Sequence, residues 1–243
     1  MVSALLSVAG LSKSFGAVVV ADQTSFDVEH GAAMGILGPN GAGKTSLFNL
    51  ITGALRPDAG QIVFGGADIT NVSAAERCRM GICRSFQVPQ PFGGMTVFEN
   101  ALVGATQGAG LSGSSAEVQA IEVLEATGLL PKANVRAGAL TLLERKRLEM
   151  ARALSARPRL LLLDEIAGGL TDAECGELID TINRVHAKGT TIIWIEHVVH
   201  ALLAVVQKLI VIDFGKKIAE GEPREIMGSA EVKEIYLGVD PDA

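Results

Sequence analysis

Aromatic residues are scarce in this sequence. Eight Phe, one Trp and one Tyr make 4% of 243 residues, so Leu, Val, Ile and Ala must fill the core of a chain that is 48% apolar. Cysteine is scarce too: Cys78, Cys83 and Cys175 form no CxxC pair. Their odd number suits a reducing compartment and reads as small buried hydrophobes. A basic excess is missing, since 21 Lys and Arg stand against 27 Asp and Glu for a net charge of −6. That argues against nucleic acid as a partner. No run reaches the ~18 uninterrupted apolar residues of a membrane helix. The most apolar stretch, TTIIWIEHVVHALLAVVQKLIVIDF, is broken by Glu196, His197, His200, Gln207 and Lys208. It reads as strand, helix, strand. The opening MVSALLSVAGLSKSFG is too short and interrupted for a signal peptide. The expectation is a soluble chain, able to dock on something that is not.

What is present is a regular alternation of short apolar runs with helical patterns, which predicts an α/β core with parallel strands. Strands are expected over residues 4–8, 18–28, 33–37, 61–64, 160–163, 190–195 and 209–212, and DFGKKIAEG reads as a hairpin turning at Phe214-Gly215. Between about Pro89 and Ala156 the strand signals stop. Helices are expected there over residues 97–104, 116–127 and 141–155, as a helical subdomain inserted in the core. Residues 108–115, GAGLSGSS, read as a flexible connector, with Ser114 and Glu117 capping the helix that follows. Thr141 with Glu144 reads as a second capping box, and Leu140 is placed to staple its first turn. The tail predicts two short helices.

The strongest chemical signal is GPNGAGKT: Gly38, Pro39, Asn40, Gly41, Ala42, Gly43, Lys44 and Thr45, followed by Ser46. It fits GxxxxGK[ST], with a strand leading in and a helix leading out. Such a loop turns backbone N–H groups toward phosphate oxygens at a helix N-terminus. Lys44 would reach the β- and γ-phosphates, Thr45 would hold Mg²⁺, and Ser46 would serve the α-phosphate. In RLLLLDEI, a fully apolar strand ends in Asp164-Glu165, suited to holding Mg²⁺ through water and to polarising an attacking water. Gln87 and His197 are polar residues placed where strands should end.

Taken in order, phosphate loop, Gln, capped helix, apolar strand with Asp-Glu and then His, the chain resembles the ATPase subunits of ABC transporters over essentially its full length. The resemblance implies one ABC ATPase domain over residues 1–243. It would comprise an α/β core (1–88 and 157–243) with a mostly parallel sheet, an antiparallel N-terminal β-subdomain, and a helical subdomain over 89–156. It further implies ATP and Mg²⁺ as ligands. Phe15 would stack on adenine, Gln87 would sense the γ-phosphate and join Thr45 and Asp164 at the metal, Glu165 would be the catalytic carboxylate and His197 the switch histidine. Residues 167–171, AGGLT, take the place of the D-loop.

LTLLE occupies the place of the signature motif, usually LSGGQ, which each subunit presents to its partner's γ-phosphate. Thr141 keeps the hydroxyl and Glu144 stands for Gln, but Leu142 and Leu143 replace both glycines. If the second of these positions needs φ > 0, Leu there costs about 1–2 kcal/mol. A damaged signature serves the partner's site, so a heterodimer with asymmetric sites is favoured over a homodimer. Ile166 stands where Pro is common, and Thr171 where Asp or Asn is common. The stretches SFQVPQPFGGMTVFENALVGA and IEHVVHALL, with the YLG tail at Tyr236, are similar to the larger ATPase of branched-chain amino-acid importers. That similarity implies membrane permease subunits and, indirectly, a periplasmic binding protein, with the chain on the cytoplasmic face of the cell membrane. An export ATPase of the lipid or lipopolysaccharide kind and an ATP-gated regulatory module are the alternatives.

Overall fold

The structure is a computed structural model and describes residues 4–237. In chain order the elements are β1 (Ala4–Phe15), β2 (Val18–Glu29), β3 (Ala33–Leu37), α1 (Lys44–Thr52), β4 (Ala59–Phe64), β5 (Ala67–Asp68), α2 (Ala74–Arg79), β6 (Ile82–Arg84), α3 (Val97–Val103), α4 (Gly113–Ala126), α5 (Leu142–Ser155), β7 (Leu160–Asp164), α6 (Asp172–Ala187), β8 (Thr191–Ile195), α7 (Val199–Leu203), β9 (Lys208–Asp213), β10 (Lys216–Gly221), α8 (Pro223–Gly228) and α9 (Ala230–Leu237). The described residues fall into two compact units. One runs up to Ala74 and resumes at Ile193, and the other is Ala75–Ile192.

The first unit holds an antiparallel sheet in the order β2-β1-β4-β5. Leu6 pairs with Val28 on one side and Phe64 on the other, and Val8 with Phe26 and Ile62. Because side chains alternate along a strand, this register collects Leu6, Val8, Phe26, Val28, Ile62 and Phe64 into buried positions. β3 is apolar and buried at all five positions, as a strand covered on both faces must be. It runs parallel to β9, with Ile36 opposite Ile210. β9 turns back into β10 through Phe214 and Gly215, both at positive φ (43° and 77°). Two left-handed residues in succession are what a tight hairpin with the native strand twist requires. β1 runs well past its expected end, to Phe15, because residues 9–15 carry little apolar alternation and bury only Leu11, whereas β2 ends within one residue of its expected limit.

The second unit pairs β6 with β7 in parallel, Cys83 opposite Leu161 and Arg84 opposite Leu162. Around them α3, α4 and α5 pack on one another. α3 starts on a Thr96–Glu99 capping box and continues as a π-helical turn, Gly104–Gly108. The glycines there are a packing requirement. A Cβ on Gly104 would lie 2.3 Å from the Arg152 carbonyl oxygen, and one on Gly108 would lie 2.4 Å from Ala156 Cβ.

Two expectations need correction in this unit. α4 begins at Gly113, ahead of the expected start. Ser114 therefore lies inside the helix and caps nothing, while Ser115 Oγ donates back to the Ser112 carbonyl. The connector shrinks accordingly, because its first residue ends the π turn and its last three are already helical. Leu140 is buried, but the residue it faces four positions into the helix is Arg145. The junction is a hydrogen bond from Arg145 Nε to the Leu140 carbonyl at 2.9 Å, in place of an apolar staple.

Candidate functional site

The phosphate-type loop of the first unit leaves β3 at Gly38 and enters α1 at Lys44. Its glycines are set by close backbone packing. A side chain on Gly38 would meet the Ile212 carbonyl oxygen at 2.1 Å. Gly43, at φ 101°, would meet that of Val20 at 2.2 Å. Lys44 is buried, and its ammonium donates to the carbonyls of Gly38 (2.7 Å) and Pro39 (2.9 Å). The charge is thereby held inside the loop. Asn40, Gly41 and Thr45 are exposed, Pro39 and Ser46 half-buried, and Ala42 buried.

The β9–β10 hairpin braces this loop, a role its sequence did not announce. Gly215 N–H donates to the Ala42 carbonyl at 2.9 Å, and its own carbonyl accepts from Asp22 N–H (2.8 Å) and Thr24 Oγ1 (2.9 Å). In the same unit His197 is exposed just after β8. Buried Glu196 accepts from the N–H groups of His197 (2.9 Å) and Val198 (3.3 Å), which fixes the turn that presents the imidazole. Phe15, at the tip of β1, is 54% exposed with the Lys13 ammonium 5.4 Å from its ring centre. Lys13 is in turn held by Asp58 at 2.6 Å.

In the second unit, two acidic residues end β7 in different surroundings. Asp164 is buried and ion-paired with Arg84 of β6. Glu165 sits at φ 47°, a left-handed conformation that costs a non-glycine residue of order 1 kcal/mol or more. That turn aims its carboxylate at Gln87, whose side-chain amide donates to it. Two residues singled out on separate grounds are thus hydrogen-bonded partners. Ile166 follows as a buried residue, and Thr171 caps α6 with Glu174.

The stretch in the signature position is the start of α5. Thr141 is the N-cap: its hydroxyl accepts from Glu144 N–H (3.4 Å), and the Glu144 carboxylate accepts from Thr141 N–H (3.0 Å) and pairs with Lys132. Glu144 is held below the usual carboxylate range, since Lys132 and the Thr141 N–H outweigh the larger opposing effect of burial. Leu142 is 45% exposed and Leu143 is buried. Neither is among the residues at positive φ, so the strain expected there is absent: both leucines take ordinary first-turn helix geometry. Buried Lys146, one turn on, donates to the Gly168 carbonyl at 2.7 Å, and Leu142 lies where a Cβ on Gly169 would touch it at 3.5 Å. The signature turn and the segment after Glu165 are therefore stitched together.

Among the described residues no group of three or more His, Cys, Asp and Glu could hold a metal. The candidate donors are instead single hard oxygens, the Thr45 hydroxyl and the Asp164 carboxylate. Each is a donor of the hard kind that Mg²⁺ prefers, since that ion keeps several waters and needs only one or two protein ligands.

A family profile described as ABC transporter matches residues 21–168. The chain belongs to the ABC transporter ATP-binding family. It is 34% identical to the high-affinity branched-chain amino acid transport ATP-binding protein LivG of Salmonella typhimurium, over 96% of this chain and 98% of that protein. The same figures hold for BraF of Pseudomonas aeruginosa. Its fold matches the ADP conformation of an ATP-binding cassette of an ABC transporter with a TM-score of 0.88 and 33% identity, over 98% of this chain and 100% of that one. This ABC cassette is a nucleotide-binding ATP hydrolase and an ATP-binding subunit of a transporter. Among its described residues no helix is long and apolar enough to cross a membrane.

Sequence reasoning missed Arg84, Lys146 and Gly215. An Arg two residues into a short strand, a Lys in an amphipathic helix and a hairpin Gly carry no local mark of the contacts they make.

Proposed function

We propose that this cassette powers uptake of amino acids of the branched-chain type, driving membrane permease subunits from the cytoplasmic face, with a periplasmic binding protein delivering the cargo. The observation that carries this reading is the 34% identity to branched-chain transport ATP-binding proteins along 96% of the chain. In this reading the whole chain is one ABC domain, with residues 89–156 as its helical subdomain.

The chemistry follows from the residues. Lys44 and the loop N–H groups bind the phosphates, Ser46 adds a donor, and Phe15 offers the adenine a flat apolar face. Thr45, Asp164 and Gln87 would hold Mg²⁺, which would supply neutralisation of the phosphate charge. Glu165 orients and polarises the attacking water, with Gln87 fixing its carboxylate. His197 stands by as a polar contact for the γ-phosphate. In phosphoryl transfer, such positioning and charge stabilisation supply nearly all of the catalysis.

The cassette acts in a dimer, and a second, different ATPase subunit is the favoured partner. Leu142 puts an apolar, half-exposed side chain on the first helical turn, where LSGGQ sequences put glycine. The bond to a partner's γ-phosphate is weakened there, while this chain's own phosphate loop is complete. Steady-state ATPase activity measured across protein concentration tests this. Turnover rising more steeply than linearly would mean a working homodimer and would overturn the asymmetric reading. Silence relieved by a second ATPase with an intact signature supports it. Uptake of labelled leucine by the reconstituted permease complex, lost on omitting this chain, is the corresponding test of cargo; uptake that survives the omission sinks the importer reading.

A further inference from the structure

Lys13 and Phe15 stand two residues apart on β1, so their side chains leave the strand on one face. Phe15 is the largest apolar side chain of that strand, yet it is 54% exposed. The Lys13 ammonium lies 5.4 Å from the centre of its ring, within the ~6 Å reach of a cation–π contact. Lys13 is not a loose surface cation. Its side chain is 16% exposed, and Asp58 holds the ammonium at 2.6 Å. Asp58 is fixed in turn: its carboxylate also accepts from Ser14 N–H (2.8 Å), and its own N–H donates to the Ser12 carbonyl (2.8 Å). The Lys13 ammonium and then the Ser14 N–H keep the Asp58 carboxyl below its usual range, so the anchor stays charged.

The hairpin that carries this ring is tied to the phosphate loop within the first unit. Phe15 pairs with Val18 and Ser14 with Val19, but Lys13 pairs with Ala21. Val20 is therefore left as a bulge in β2. Its carbonyl oxygen is the atom that bars a side chain from Gly43, at 2.2 Å. Phe15 faces Val18, two residues from that contact, which is about 7 Å along a strand.

A cation against one face of an aromatic ring draws the π-electrons toward itself and leaves the other face less negative. An electron-rich purine stacks better on such a face. We propose that Lys13 is a specificity-determining residue of the nucleotide site: pinned by Asp58 against the Phe15 ring, its ammonium positions and polarises that ring to take a purine base on the opposite face. The proposal rests on reading Phe15 as the base-stacking residue. It adds that the grip on the base is set from behind the ring, by a charge that does not touch the nucleotide.

The experiment uses the full chain carrying Glu165→Gln, so that no turnover interferes. It is titrated calorimetrically with MgATP and, separately, with inorganic tripolyphosphate, which lacks the base. The ratio of the two affinities reads the base contact. Lys13→Met keeps the aliphatic stem and removes the charge. It is expected to lower the ratio about three-fold, the scale of one part-exposed cation–π contact, with tripolyphosphate affinity unchanged. Lys13→Arg, which keeps a cation able to stack on the ring, is expected to restore the ratio. Lys13→Gln, neutral but still able to bond Asp58, carries the test if the Met variant does not fold. Equal losses for both ligands would mean that the ammonium simply attracts phosphates, and an unchanged ratio would mean that it does nothing to the ring; either overturns the proposal. Phe15→Leu separates the proposal from the reading beneath it. A ratio that stays at the parent's value removes base stacking on Phe15, and the proposal with it. A lowered ratio upholds the stacking, and adding Lys13→Met should then cost nothing further. A full three-fold loss in the absence of the ring would put Lys13 on the nucleotide itself and overturn the proposal alone.

Discussion

Gln87 donates its side-chain amide to the carboxylate of Glu165 across 78 residues of sequence. The left-handed backbone at Glu165, φ 47°, is what turns the carboxylate toward it. A conformation with an intrinsic cost, held in place beside a functional group, is the usual form of pre-organisation. Glu165→Gln keeps the shape and removes the charge. It is expected to lower ATP turnover by at least about 100-fold while leaving ATP affinity within a factor of about two. Phosphate release and equilibrium binding on the same preparation check this. A turnover near the parent's would remove Glu165 from the chemistry.

Gly43 cannot carry a side chain. At φ 101° any L residue is strained, and its Cβ would press on the Val20 carbonyl oxygen at 2.2 Å. Gly43→Ala is expected to displace the loop and abolish measurable nucleotide binding. Gly41→Ala meets no neighbour within 4 Å and carries only the penalty of its φ of 82°, about 1–2 kcal/mol. Calorimetric ATP titration of the two variants should separate them clearly; equal affinities would mean that the Val20 contact does not shape the loop.

The Thr141–Glu144 cap is worth about 1 kcal/mol, so Thr141→Ala should lower the melting temperature by roughly 2–4 °C. Its pH dependence has a definite sign. Glu144 titrates lower in the folded chain than in the unfolded one. Its contribution is present in full above the unfolded carboxylate pKa, and it fades as pH falls through the depressed folded value. The gap in melting temperature between parent and Glu144→Ala should therefore be widest near neutral pH and narrow in acid. A gap that widens in acid would contradict the ion pair with Lys132.

Cys78 lies with its sulfur 3.8 Å from that of Cys83 and is half-buried. The contact with Cys83, helped by Arg79 and opposed by burial, lowers its pKa to about 7. The same contact, seconded by burial, pushes Cys83 well above the usual thiol range. Alkylation of Cys78 by iodoacetamide should follow a midpoint near pH 7, and in Cys83→Ala that midpoint should rise toward an ordinary thiol's. Mass spectrometry of the labelled peptide reads both. A parent midpoint near 9 would dismiss the contact.

Buried strands such as β3 and β7 were legible because unbroken runs of small and apolar residues, AMGIL and LLLL, have few other uses in a chain this polar at its turns. The phosphate loop was legible because its glycines, lysine and flanking elements satisfy one demand at one place. Thr141 with Glu144 was legible as a cap because the pattern is wholly contained in one turn, and the structure shows that the helices at Thr96 and Thr171 begin on the same Thr–Glu spacing. What escaped depends on partners far away in sequence. Arg84 meets Asp164 over 80 residues, and Gly215 meets Ala42 over a longer span still. Gly108 looks like a flexible linker residue, and Gly104 like a helix end, until the Arg152 carbonyl and Ala156 are seen to press on them. The start of α4 was misplaced because a Ser and a Glu three apart fit a cap equally well one step inside a helix.

Lys146 removes a degree of freedom. Its buried ammonium on the Gly168 carbonyl joins the first turn of α5 to the turn behind Glu165, with Leu142 wedged against Gly169. The two segments form a lever with a fixed elbow. The backbone behind the carboxylate that Gln87 holds is thus tied to the helix turn that carries Leu142.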